Sequence, residues 1–381
     1  MFDFQPTDEQ RLAIDTAERF ARHRIIPIAA ECDRQSRFPR EILDEAHGLG
    51  LVSARLPVQF GGPGLGHVDS SLVIEALAYG CPGIQASLTA NGLGLTPLLL
   101  AGSDAQKRKY LGWLSGGPAM VALAASEPAA GSDLASIQCR ASPDAGGAWV
   151  LHGAKEWVTN ASLASFYVVF ATSDPGLRQR GIGAFIVERD QRGVMPGRPI
   201  DKIGQRASDT ASLVLDDVRI PASGVLAPPG HGFKLATDTF DRTRPDIAAA
   251  AVGLMRRCLD ESVAYARQRT TFGVPIARHQ LVAAMLADMR ICVEATAHLA
   301  RKAAWCIDRG YTDPVVSSCA KAFGADAAMK TAVNAVQVFG GNGTTSDYPV
   351  EKLMRDAKIL QIYEGTSELQ RILIARHMIG R

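Results

Sequence analysis

One carboxylate stands out by its surroundings. Glu364 follows the apolar run LQIY and precedes the small residues GTS. A carboxylate held away from water has a raised pKa and can act as a general base near neutral pH. Gly365 beside it would let a ligand come close to the backbone. The competing role is a cap on the helix that begins near Ser367, for which Thr366 is the better residue type. Spacing alone leaves base and cap level. In KEWVTN (155–160), Trp157 and Thr159 offer a flat aromatic face and a hydroxyl donor, although a lone Trp in a strand is ordinarily core. Arg269 and Thr271 in RTTFG, with the glycines of QVFGGNG (337–343), suit a phosphate, because arginine binds it through a forked, charge-assisted contact and glycine admits it to the backbone. Beside Arg267, Arg269 by itself reads as a solvated charge. In FDRTRP (240–245), Arg244 could orient a carboxylate, contact a ligand, or only pair with Asp241.

Other chemistries are excluded by what is missing. The seven cysteines form no CxxC spacing and read as buried thiols in a reducing compartment; no HExxH occurs, so no metal site is expected. GGPGLG at 61–66 has the wrong spacing for a dinucleotide loop, and neither GxxxxGK[ST] nor GxSxG is present. A net charge of +2 gives no basic stripe, which argues against nucleic acid as a partner. The opening MFDFQPTDEQ has acidic residues and no apolar core, so no leader and a cytoplasmic location are expected. Residues 76–103 carry no charge, enough for the roughly 20 residues of a membrane span, but glycines, prolines and Asn91 interrupt them. They are predicted to form buried helices with a break between.

Positioning these residues needs more than one structural unit, and 381 residues predict two or three. With 47% hydrophobic and 21% charged residues a sizeable core is available. Residues 120–230 hold 12 Gly and 8 Pro, whereas 231–381 hold 10 Gly and 4 Pro. The middle is turn-rich, and 149–152, 166–172, 183–188 and 212–220 read as strands, the last with a slip at Asp216 and Asp217 that suggests a bulge or a strand end. Leu281, Met285, Met289 and Val293 predict a long amphipathic helix between Pro275 and Pro314. Phe323, Ala327, Val333, Val336 and Phe339 continue the helical pattern up to the glycines 340–343, and a last helix from about Ser367 should turn Leu369, Ile372 and Leu373 inward. The expected fold is α+β in three parts: helical 1–119, β 120–230, helical 231–381.

EPAAGSD (127–133), KEWVTN, FDRTRP, RTTFG, QVFGGNG, YPVEKLMRDAKI (348–359) and IYEGTSELQ (362–370) together resemble the acyl-CoA dehydrogenases, flavoproteins that introduce a double bond next to a thioester, and especially the medium-chain type. The similarity runs end to end. It implies an N-terminal helical domain, a central β domain, a C-terminal four-helix bundle and non-covalent FAD. By this resemblance Glu364 is the catalytic base. Trp157, Val158 and Thr159 border the flavin ring, and Leu123, Ser126 and Ser132 contact its polar edge. Arg269, Thr271, Phe272, His279, Gln280, Gln337, Val338, Gly340 and Gly341 hold the pyrophosphate and adenosine of a neighbouring subunit's FAD. Thr366, Ser367 and Glu368 also touch the flavin. Ser132, Asp241, Arg244, Gly365 and Arg376 lie near CoA or the base. Ala129 replaces the family's glycine, so strain is expected there if φ is positive. Gln85, Ala86, Leu88 and Thr89 should wall the acyl pocket. The resemblance further implies a homotetramer and an electron-transferring flavoprotein as acceptor. It leaves open a branched, cyclic or biosynthetic acyl group, and a catalytically idle acyl-CoA-binding protein.

Overall fold

The computed structural model describes residues 5–380, so the first four residues of the opening segment lie outside it. Seven helices come first: α1 (Asp8–Phe20), α2 (Ile26–Arg34), α3 (Leu43–Gly48), α4 (His67–Gly80), α5 (Pro82–Thr89), α6 (Asn91–Ala101) and α7 (Asp104–Gly116). The charge-free stretch is the end of α4 followed by α5 and α6, broken at Cys81 and Ala90 as its glycines and prolines predicted. No helix among the described residues is long and apolar enough to cross a membrane.

Eight strands follow: β1 (Val121–Ala124), β2 (Arg140–Pro143), β3 (Trp149–Thr159), β4 (Phe166–Thr172), β5 (Ile182–Glu188), β6 (Val194–Pro196), β7 (Thr210–Ile220) and β8 (Val225–Ala227). They form one mixed sheet in the order β6-β7-β3-β2-β4-β5-β8, with β1 and β2 both parallel to β4 along one edge. β4 is buried on both faces. Phe166, Val168 and Phe170 face α6, α7 and the start of the next helix through Leu98, Leu111, Leu114 and Leu235. Tyr167, Val169 and Ala171 face the opposite way, onto Leu151, Leu213 and Val218. The anticipated bulge is real: Leu151 pairs with Val218 but Gly153 with Leu215, and Asp217 absorbs the extra residue at φ 52°. β3 runs to Thr159 rather than stopping at His152, because pairing with β7 carries its polar second half. β1, β2, β6 and β8 are strands too short to leave a periodic signal.

The last part contains α8 (Gly232–Gln268), a β9–β10 hairpin (Thr270–Thr271 and Val274–Pro275), α9 (Gln280–Asp308), α10 (Pro314–Phe339), α11 (Val350–Leu360) and α12 (Ser367–Ile379). α8 packs along α4, α9 and α10 through small residues such as Ala249, Ala250 and Ala328. Ile372, expected to face inward, does not, and other apolar residues of the helical patterns are exposed as well. Leu281 is 79% exposed, Ile372 47%, Val333 44% and Phe323 43%, and α12 instead buries Ser367 and Gln370. Periodicity marks a helical face without saying whether this chain or another molecule covers it.

Candidate active site

Sheet, α5, α6, α8 and α12 enclose a cavity of about 1240 Å³. Leu123, Ser126, Ser132, Trp157, Thr159, Asp241, Arg244, Glu364, Gly365, Thr366 and Arg376 all line it, although they are spread over 254 positions of sequence.

Glu364 lies just beyond α11 in a left-handed conformation, φ 52°, followed by Gly365 at φ 88°. A Cβ on Gly365 would come 2.6 Å from Gln370 Nε2, so a side chain there would be strained in its backbone and would also displace Gln370. Gln370 Nε2 donates to the carbonyls of Glu364 and Gly365, and the buried Lys321 Nζ donates to the Gly365 carbonyl at 2.6 Å. These bonds hold a backbone that a non-glycine residue rarely adopts. Thr243 Oγ1 donates to Glu364 Oε2 at 2.7 Å. Burial pushes the Glu364 carboxyl up to about 7; the Thr243 bond opposes that, Asp246 adds to it, and Arg244 and Lys321 work against it. The helix cap is Thr366, whose Oγ1 accepts from Leu369 N–H, which leaves Glu364 free of that role.

A buried ion pair joins strand β3 to the loop after β1 beside the cavity. Lys155, fully buried, donates to Glu127 Oε1 at 2.7 Å and to the Ala125 carbonyl at 3.1 Å. Glu127 also accepts from the N–H groups of Gln138 and Cys139. EPAAGSD and KEWVTN are thereby fixed to one another. Trp157 follows at φ 61° with 59% of its surface exposed, so it is no core aromatic. Ala129 is not at positive φ, and the strain expected there is absent.

The structure separates other expected residues from the cavity. Val158 is buried in the sheet core, as strand alternation demands between Trp157 and Thr159. Ser367 Oγ donates to Asp326, and Glu368 is exposed. Leu88 packs in the α1–α5 core while Gln85, Ala86 and Thr89 face the cavity. Arg269, Thr271, Phe272, His279, Gln280, Gln337, Val338, Gly340 and Gly341 are not among the lining residues. They share a different place: Val338 packs against Ile276 and Ala266 at one end of α8–α10. There Thr271 Oγ1 is 2.8 Å from His279 Nε2, Phe272 is 97% exposed, and nothing lies near the site of a Cβ on Gly340 or Gly341.

Residues the sequence reading missed include Phe233, Thr237, Phe240, Thr243 and Ile247, all lining the cavity from α8. Their three- and four-residue spacing was a usable signal. Nor is Glu364 the only carboxylate in the pocket. Asp246 and Asp241 also line it and are raised by burial, but each is ion-paired, to Arg55 and Arg244 respectively. One His and acidic trio, His152 with Asp216 and Asp217, is close enough to hold an ion among the described residues. It is exposed, lies away from the cavity and is assembled across two strands, which no linear motif reveals.

Three family descriptions match in order: acyl-CoA dehydrogenase N-terminal domain over residues 7–118, middle domain over 122–218 and C-terminal domain over 230–379. The chain belongs to the acyl-CoA dehydrogenase family. It is 41% identical over its whole length to the protein named probable medium-chain specific acyl-CoA dehydrogenase 2, mitochondrial, of Caenorhabditis briggsae, covering 92% of that protein. Butyryl-CoA dehydrogenase from Megasphaera elsdenii superposes with a TM-score of 0.96 at 36% identity, over 99% of this chain and all of that one. A Mycobacterium smegmatis glutaryl-CoA dehydrogenase in complex with FADH2 gives 0.92 at 29% identity, covering 99% and 96%. Like these dehydrogenases, the protein is an oxidoreductase acting on acyl-CoA, with a helical, mixed-sheet, helical architecture.

Proposed function

We propose that the protein is an FAD-dependent dehydrogenase that converts an acyl-CoA thioester to its trans-2-enoyl-CoA, with Glu364 as the base. The observation that carries this reading is the contrast among the three cavity carboxylates that burial raises, out of the six that line it. Asp241 and Asp246 are tied to arginines, whereas Glu364 has a hydroxyl partner and a pKa near 7. It is therefore the one poised to take a proton at working pH. Thr243 fixes its orientation, and apolar walls from Phe240 and Ile247 keep water from the α-carbon.

FAD, when bound, supplies the acceptor for the hydride leaving Cβ. The fit of this chain to FAD rests on the half-exposed Trp157 and on Thr159 at the cavity wall, and on open backbone at Gly340 and Gly341. Leu123, Ser126, Ser132, Val158, Thr366, Ser367 and Glu368 complete the flavin set in this proposal, Val158 through its backbone. Arg269, Thr271, Phe272, His279, Gln280, Gln337 and Val338 serve FAD in a neighbouring subunit, hence a homotetramer. Ser132, Asp241, Arg244, Gly365 and Arg376 receive the thioester. The domains divide at 119/120 and 230/231. An electron-transferring flavoprotein takes the electrons. Seven unpaired cysteines support a reducing, cytoplasmic setting.

Anaerobic addition of acyl-CoA to the purified yellow protein tests the reading. The flavin band should bleach in one turnover; an unchanged spectrum across a panel of acyl thioesters would mean an acyl-CoA-binding protein without catalysis.

A further inference from the structure

Among the apolar residues that line the cavity stands a charged group that an alkyl tail would not call for. On α8, Thr243 holds Glu364, and Ile247 four residues on presents the expected hydrocarbon. Between them Asp246 also faces the cavity. Its carboxylate is paired with Arg55 Nη1 at 2.8 and 3.0 Å, with side-chain exposures of 15% for Asp246 and 8% for Arg55. The same Nη1 is 3.1 Å from His67 Nδ1. A guanidinium has no acceptor and keeps its protons, so His67 is the neutral acceptor here; burial and Arg55 hold its pKa down near 2. α6 makes room for this pair: a Cβ on Gly92 would come 2.5 Å from Arg55 Nη2.

The cavity wall is also polar at Gln85 and Thr89, which are partly bonded to one another. Gln85 Nε2 donates to Thr89 Oγ1 at 2.7 Å, and Thr89 Oγ1 donates to the Gln85 carbonyl at 3.1 Å. The Asp246 carboxylate and Gln85 Oε1 offer a ligand acceptor capacity. A saturated alkyl tail would strip water from these oxygens and give nothing back. A carboxylate-ended acyl group would meet Asp246 in front of Arg55 and be repelled.

Resting on the dehydrogenase reading above, we infer that the acyl group carries a hydroxyl beyond Cβ and donates it to Asp246. Asp246 is three residues from Thr243 on one helix, roughly 4.5 Å of rise, which sets the hydroxyl a few carbons past the reacting centre. Asp246 is then a specificity residue, and Arg55 and His67 position it.

The test compares matched CoA thioesters of four to eight carbons on the FAD-loaded wild type: plain acyl, ω-hydroxyacyl and ω-carboxyacyl. The rate of anaerobic bleaching gives kcat/KM. One hydrogen bond to a charged group predicts that the best hydroxyacyl-CoA exceeds its plain counterpart roughly ten- to hundredfold, with ω-carboxyacyl slowest. Titration calorimetry with the corresponding trans-2-enoyl-CoA products should show the same order of affinity without turnover. Replacing both partners together, Arg55→Met with Asp246→Leu, leaves no charge orphaned and should reverse the preference to the plain chain. Equal rates and affinities for plain and hydroxylated chains on the wild type overturn the inference even if the double variant does not fold. So does a folded double variant with an unchanged ratio. In both cases bleaching by plain acyl-CoA leaves the dehydrogenase reading standing, whereas no bleaching by any thioester removes both.

Discussion

Glu364 sits in a backbone conformation that costs energy, and its neighbours over-determine it through Gln370 and Lys321. The side chain is correspondingly well aimed. Glu364→Gln keeps shape and removes the base, so flavin reduction should slow by at least roughly 10²- to 10⁴-fold, about 3 to 5 kcal/mol of barrier. A twofold loss with the fold intact, seen by stopped-flow bleaching, would assign the base elsewhere. With its pKa near 7 the base is active when deprotonated, so the rate should rise with pH through about 7 and then level. Stability runs the other way. The folded pKa is raised above the ordinary 4.5, so the contribution is complete below about 4.5 and is lost as pH rises through about 7. Glu364→Gln should therefore unfold at a higher temperature than the wild type at pH 8, and not at pH 4. Lys321 lowers the Glu364 pKa by its charge. Lys321→Met should move the ascending limb of the rate profile to higher pH; an unmoved limb would show that Lys321 serves the Gly365 carbonyl alone.

At the scale of elements, the site depends on ties between segments that are far apart in sequence. Lys155 on β3 reaches Glu127 in the loop after β1, and Asn160 Nδ2 donates to the Ser87 carbonyl of α5. Removing one member of a buried pair strands the other charge, which typically costs about 3 to 5 kcal/mol. Lys155→Met should lose about that much in denaturant titration and also release FAD on gel filtration, because Trp157 and Ser126 flank the tie. Full FAD retention would show that the pair only stabilises the sheet. On α5 the cavity face is Gln85, Ala86 and Thr89. Thr89→Trp fills that wall and should shorten the accepted acyl chain with FAD content unchanged; an unaltered chain-length profile would place the limit elsewhere.

For the whole molecule, the apolar residues left bare on α9, α10 and the hairpin are the informative ones. Phe272, Leu281, Ile291 and Val333 are exposed in one chain, and the space a Cβ would take on Gly340 or Gly341 is open. In the proposed assembly a second copy covers them and receives these segments at its own flavin. Light scattering should give the mass of a tetramer for the FAD-loaded protein. A monomer that still holds its full complement of FAD would sink this assembly.

Local chemistry was legible in the sequence: a carboxylate between apolar and small residues, a tryptophan two residues before a threonine, glycines ending a long helix, a slip in strand alternation. The helical, β and helical parts were legible too, because turn residues and periodicity are local properties. Three-dimensional packing decided the rest. Short strands such as β1 and β6 exist because their neighbours complete the hydrogen bonding, which a three- or four-residue stretch does not announce. Leu88 and Gln85 lie three residues apart on one helix, yet one is core and the other faces the cavity. Arg55, Asp246 and His67 came together only through folding, since each alone is an ordinary polar residue and a separation of 191 positions hides the pair. Whether a carboxylate is free to act as a base is settled by its partners, and those partners are fixed by tertiary structure.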